Sequence, residues 1–160
     1  LRAFGETEGP VILEMVSEML AQPETISIDI MKGGKRGGNI IFTPLELKDH
    51  PEKKCFLLAP IAVEPDLQGK EIGKELIEEG VSQLKAIDAD AIFVLGYPKY
   101  YGIRGFYPTW VILPFQDSVT RVDAWKMMEL KSGSMAEVGG KSEACEAIMK
   151  PMFWDISRGA

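Results

Sequence analysis

Val63-Glu64-Pro65-Asp66-Leu67-Gln68-Gly69-Lys70-Glu71-Ile72-Gly73 is the stretch on which the reading of this chain turns. An apolar strand ends in a short polar turn, and the turn opens an amphipathic helix through Gln-Gly-x-x-x-Gly. Such a turn aims several open backbone N–H groups at one point, and the helix dipole adds partial positive charge there. The spot is suited to a phosphate or pyrophosphate. The sequence thus points to an anion-carrying cofactor and to where it sits.

Upstream, Cys55–Val63 is almost continuously apolar, the mark of a strand covered on both faces. Pro60 in its middle cannot donate to a ladder, which predicts a bulge or an edge from which the neighbouring strand has parted. Downstream, Ile72, Leu76, Ile77, Gly80, Val81, Leu84 and Ile87 share one helical face, and charged residues take the other. Residues 90–96 read as a second buried strand, so strand, helix and strand form a βαβ unit.

Further out, residues 10–22 carry apolar side chains at helical spacing, with Pro10 placed to start the helix. Residues 26–30 alternate strictly and predict a half-buried strand. The glycine-rich run 33–38 lacks Gly-x-x-x-x-Gly-Lys-Ser/Thr and reads as a hairpin loop into a strand over 39–47. A hydrophilic loop, 48–54, follows. Beyond the βαβ unit come a Gly- and Tyr-rich passage at 97–106, a short apolar run at 111–114, and a last long strand at 124–130. Residues 132–141 read as loop, and the remainder as a tail with aromatic anchors Phe153 and Trp154.

The totals narrow the partners. At 160 residues, the whole span 1–160 is expected to be one domain. A net charge of −6 without a basic stripe argues against nucleic acid. No apolar run approaches the ~20 residues of a membrane span, so no membrane partner is expected. Cys55 and Cys145 read as reduced thiols of a cytoplasmic protein, and the single histidine, His50, leaves no metal-type spacing. The chain opens Leu1-Arg2-Ala3-Phe4-Gly5, with neither initiator Met nor signal peptide, and is read as beginning inside a larger gene product.

A second motif lies in Tyr100-Tyr101-Gly102-Ile103-Arg104-Gly105-Phe106. With it the chain resembles the GCN5-related N-acetyltransferase (GNAT) superfamily. The acetyl-CoA motif of that family reads Gln/Arg-x-x-Gly-x-Gly/Ala between a bulged strand and a helix, and a Tyr-x-x-x-Gly-Phe signature follows the next strand. Here the first is Gln68 through Gly73 and the second Tyr101 through Phe106. The runs Leu-Ala-Pro-Ile-Ala-Val at 58–63 and Val-Leu-Gly-Tyr-Pro-Lys-Tyr-Tyr at 94–101 are similar to its YhbS-type branch.

The resemblance implies an α/β (α+β) domain. Its central sheet would be mixed and mostly antiparallel, with flanking helices and a splay between the fourth and fifth strands of the family's order. The pantetheine arm of acetyl-CoA would enter that gap, with Ile61, Ala62 and Val63 offering backbone hydrogen bonds. N–H groups of Gln68, Gly69, Lys70, Glu71, Ile72, Gly73 and Lys74 would cradle the pyrophosphate. Tyr101 would lie near the thioester sulfur and protonate the departing thiolate, a role that suits direct attack by a neutral amine because the thiolate benefits from a proton donor.

Three departures from the family pattern stand out. Glu71 occupies a position that is normally glycine, bringing a carboxylate close to the expected pyrophosphate. Tyr97 stands where the branch has Asp, and no strand precedes Phe4, so the family's N-terminal strand is expected to be missing. Glu46, His50 and Glu64 flank the region, but no general base lies within the central strand; a water relay or an already neutral amine is open. The expectation is an acetyl-CoA-dependent N-acetyltransferase acting on a primary amine of a small molecule or peptide. Glu71 and the missing base motivate an alternative, a non-catalytic acyl-CoA-binding or regulatory module of the same fold. An interaction domain without ligand is the third reading, and the aromatic tail packs either on its own sheet or across a homodimer.

Overall fold

The structure is a computed structural model that describes residues 4–115 and 122–154. In chain order the elements are α1 (Gly5–Leu20), β1 (Ile26–Lys32), β2 (Lys35–Leu47), β3 (Cys55–Val63), α2 (Ile72–Ala86) and β4 (Ala91–Leu95). Then come α3 (Pro98–Gly102), β5 (Tyr107–Pro108), β6 (Val111–Ile112), β7 (Trp125–Glu129) and β8 (Gly140–Glu143). The reading of residues 1–3 falls outside the described residues.

The β1–β2 hairpin turns on Gly33 and Gly34, whose φ values of +58° and +76° suit a two-residue loop. The expected loop over 33–38 is therefore too long: β2 begins at Lys35. Gly37 and Gly38 are strand residues, and a Cβ on Gly38 would press on the Ala62 carbonyl and on Leu76 of α2. The missing side chain at Gly38 serves close packing of the helix, and that at Gly37 makes room for Leu67 and Lys32. The first helix also starts earlier than residue 10, at Gly5, with Pro10 inside it. Glu6 and Glu8 in the first turn favour the positive end of its dipole, which offsets part of the hydrogen bond Pro10 cannot make.

Among the described residues eight strands form a sheet in the order β5-β7-β4-β3-β2-β8-β6, with β1 beside β2. The β3–β4 and β6–β8 pairs are parallel and the others antiparallel. Strand alternation gives the sheet two apolar faces. Cys55 and Leu57 face α1, where Met15 and Met19 meet Phe93, Trp125 and Trp154. Phe56 and Leu58 face α2, whose Leu76 and Leu84 pack on Phe42 and Ile92. Trp154 donates its indole N–H to the Ile148 carbonyl (2.7 Å) and lies 6.0 Å from the Trp125 ring. The aromatic tail thus packs on the chain's own sheet.

Two elements sit where loop or tail was expected. Strand β8 pairs with β2 through Glu46↔Glu143 and Leu47↔Ser142, and with β6 through Val111↔Gly140. Helix α3 is five residues long, too short for a periodic signal. Both cysteines are free, Cys55 buried within β3. Among the described residues no helix is long and apolar enough to cross a membrane.

Candidate functional site

β3 and β4 pair through Cys55↔Ala91, Phe56↔Ile92 and Leu57↔Phe93, and there the pairing stops. β3 continues to Val63 with β2 as partner, so its other edge is open. At the join, Ile40 faces Ile61 while Phe42 faces Leu58, so β3 carries an extra residue around the cis Ala59–Pro60 peptide. Pro60 thus marks both a bulge and a parting of strands, as its missing N–H predicts.

Which groups face the gap follows from one bond. Glu64 N–H donates to the Gly37 carbonyl (2.9 Å). Antiparallel alternation then turns the Ala62 backbone toward β2 and the groups of Ile61 and Val63 toward the gap. The Val63 carbonyl accepts a hydrogen bond from Gln68 Nε2 at 3.2 Å, tying the open edge to the bend beyond it.

The bend is a 3-10 turn over Pro65–Leu67, closed by N–H groups of Gln68 and Lys70 donating to the Pro65 and Leu67 carbonyls, both at 3.3 Å. Gly69 (φ +76°) and Glu71 (φ +61°) are left-handed, and such residues beside right-handed ones turn successive N–H groups to one side. The first bond across the start of α2 is Glu75 N–H to the Glu71 carbonyl (3.0 Å). The N–H groups of Ile72, Gly73 and Lys74 precede it as open donors of the helix end. The Ile72 side chain is buried, whereas Lys70, Lys74 and Glu71 are exposed and Glu71 makes no capping bond.

Across the gap, the Tyr101 ring lies over Gly96 at the end of β4, so closely that a Cβ there would run into it. Tyr101 meets Tyr100 and Phe106 edge to face at 4.9 and 5.5 Å. Burial first, and Tyr100 second, push its phenol well above the ordinary value of 10.0, against the opposing charge of Arg104. The group keeps its proton.

Tyr100 was not singled out from the sequence, yet its hydroxyl rests where a Gly73 Cβ would be, with Ile61 beside it. The Arg104 guanidinium stacks over its ring at 3.6 Å and donates from Nη1 to its carbonyl at 2.6 Å. The signal was the Tyr100-Tyr101 doublet: adjacent helical residues splay apart, one toward Gly73 and one onto Gly96. Tyr97 caps α3 with no side-chain bond and is 59% exposed.

Of the three flanking polar groups, one reaches the region. Glu64 lines a groove of about 230 Å³ between α1 and the open half of β3, with Arg36 and Asn39. Glu46 pairs with Lys48 (3.2 Å) and His50 lies 3.5 Å from Glu52, near the Cys55 end of β3. That end is ~25 Å along the strand from the bend. Among the described residues no cluster of three or more His, Cys, Asp or Glu gathers to hold a metal ion.

Comparison with known proteins follows the same lines. No family model matches the chain. The uncharacterized N-acetyltransferase YjhQ of Escherichia coli (strain K12) is 34% identical over 109 residues, 67% of this chain and 60% of YjhQ. The chain thus spans less than two thirds of the curated relative it matches. The crystal structure of the GNAT family N-acetyltransferase YhbS from Escherichia coli, in complex with CoA, superposes with a TM-score of 0.79. It is 19% identical and the match covers 88% of this chain and 78% of YhbS. A GNAT family acetyltransferase from Brucella melitensis, in complex with acetyl-CoA, gives a TM-score of 0.63 at 24% identity, over 88% and 77% of the two chains. The resemblance drawn from the two motifs is borne out, and the fold is theirs.

Proposed function

We propose that this chain, whose fold is that of the GNAT acetyltransferases, moves the acetyl group of acetyl-CoA to a primary amine of a small molecule or peptide in the cytoplasm. One observation carries the reading: β3 parts from β4 after Leu57 and runs, with one edge open, straight to the bend at 68–74. The names of YjhQ, YhbS and the Brucella protein support it.

The residues fit the cosubstrate. Ile61 and Val63 turn backbone groups into the gap and bond the pantetheine arm as a neighbouring strand would, while Ala62 keeps β3 attached to β2. Open N–H groups of Ile72, Gly73 and Lys74 hold the pyrophosphate, with the helix dipole behind them. Gln68, Gly69, Lys70 and Glu71 shape the bend, and the side chains of Lys70 and Lys74 add positive charge. The amine nitrogen attacks the thioester carbonyl carbon, a C–N bond forms, and the C–S bond breaks. Tyr101, still protonated, gives its proton to the departing thiolate and is restored by the proton the amine loses through water. Glu64 is the carboxylate nearest the acceptor groove.

A second reading, a non-catalytic acyl-CoA-binding module, draws on Glu71, whose carboxylate sits at the bend itself. Two measurements separate them. Titration calorimetry should give heat with acetyl-CoA, and no heat at high micromolar concentration overturns both. Thiol release over a panel of primary amines should then be above the rate with buffer alone. Binding without release on any amine leaves the module.

A further inference from the structure

We infer that a cavity at the fork of the parted strands takes the acyl chain of the CoA thioester and favours chains longer than acetyl. The inference rests on the transferase reading above for the placement of the thioester. The cavity measures about 140 Å³ and lies on the α1 side of the sheet. Leu57, the last residue of β3 paired with β4, and Ala59 in the bulge form one wall; Leu95 at the end of β4 forms another. Ile12 of α1, Ile148 and Trp154 complete the lining, which leaves the cavity partly open to solvent. Its lining residues are apolar throughout, and the one indole N–H among them is bonded to the Ile148 carbonyl.

Position and chemistry select the occupant. An arm laid along Val63 and Ile61 from the bend arrives at the fork, and the carbonyl substituent points onward between Leu57 and Leu95. An amine in this cavity would meet mostly apolar side chains and exchange hydrogen bonds to water for few replacements. The neighbouring groove shares Ile12 with it but adds Arg36, Asn39 and Glu64, the polar groups an amine-bearing acceptor needs. The acceptor therefore has its own place, and the cavity lined by apolar side chains is left to hydrocarbon. A methyl group leaves most of it unfilled, and a longer acyl chain buries more apolar surface there. The transfer step balances as before; the acyl carbon chain alone differs.

Calorimetric titration of the full chain with CoA, acetyl-CoA, butyryl-CoA and hexanoyl-CoA tests this. Each methylene buried contributes about fourfold, so butyryl-CoA, two methylenes longer, should bind about fifteenfold more tightly than acetyl-CoA. Acetyl-CoA that binds with no gain along the series overturns the inference and leaves the transferase reading standing. If CoA and every thioester fail to bind, the transferase reading has itself failed, and the inference with it. Leu95→Phe, which fills the cavity, should bring the butyryl-to-acetyl affinity ratio to within about twofold of one. The ratio is internal to one sample, so loss of folded protein does not move it. A ratio still at about fifteen in that variant overturns the location.

Discussion

The two halves of β3 share one chain and one apolar composition, and they do opposite things. From Cys55 to Leu58 the side chains are almost fully buried, and through Leu57 the strand is bonded on both edges. From Ala59 to Val63 each residue is half-buried, and β2 alone is the partner. The first half anchors the sheet and the second presents backbone groups. A run that hydropathy reads as uniform is thus divided by a single residue, Pro60, whose missing N–H marks the division.

Cutting into the paired half should cost most. Phe93, opposite Leu57 in the last paired position, is 0% exposed and stacks on Trp125 at 5.4 Å. Phe93→Ala should destabilise by about 3–5 kcal/mol in urea denaturation. A loss under ~1 kcal/mol would mean that the fold is held elsewhere.

Next in size is the group the parted half is built to serve. Tyr101→Phe should lower thiol release about 100-fold or more while changing acetyl-CoA affinity less than about threefold. Full turnover in that variant would remove Tyr101 from the acid role. Because burial raises the phenol, the wild-type rate should climb as the amine loses its proton and show no alkaline fall around the ordinary phenol value of 10.0. A fall there would assign the acid to an exposed group.

The sharpest contrast is between neighbours on one strand. Val63→Pro removes an N–H that faces the gap, so acetyl-CoA affinity should drop about tenfold while stability moves by less than about 1 kcal/mol. Ala62→Pro removes an N–H that faces β2 and should do the reverse, costing stability first. If both variants lose stability equally, the open edge is not open.

Much of this was legible in sequence, because it rests on local patterns. Pro60 announced the bulge, and the apolar faces of α2 and β4 announced the βαβ frame. The bend was readable because Gln68 to Gly73 stands in order with a second motif, Tyr101 to Phe106; glycines at a strand-to-helix junction are common and are a weak signal alone. What escaped was decided across the fold. β8 exists through its pairing with β2 and β6, not through any periodicity of its own. Tyr100 acquires its place from Gly73, a residue far from it in sequence. Glu46 and His50 looked like neighbours of the site until strand direction carried them to the opposite end of β3.

Glu71 gives the smallest effect and separates two causes that sequence alone confounds. It is left-handed (φ +61°) where the family's motif has glycine, so backbone strain and charge repulsion both argue against it. Glu71→Gly should relieve the strain and raise stability by about 1 kcal/mol, or a melting shift of about 2–4 °C, with no ligand present. Glu71→Gln removes the charge and keeps the strain, so its melting temperature should stay where it is. Calorimetry with acetyl-CoA then reads charge alone: if the exposed carboxylate turns away from the pyrophosphate, Glu71→Gln and wild type bind alike. If Glu71→Gln binds severalfold more tightly, the carboxylate faces the anion, and the parted half of β3 works against a brake at its own end.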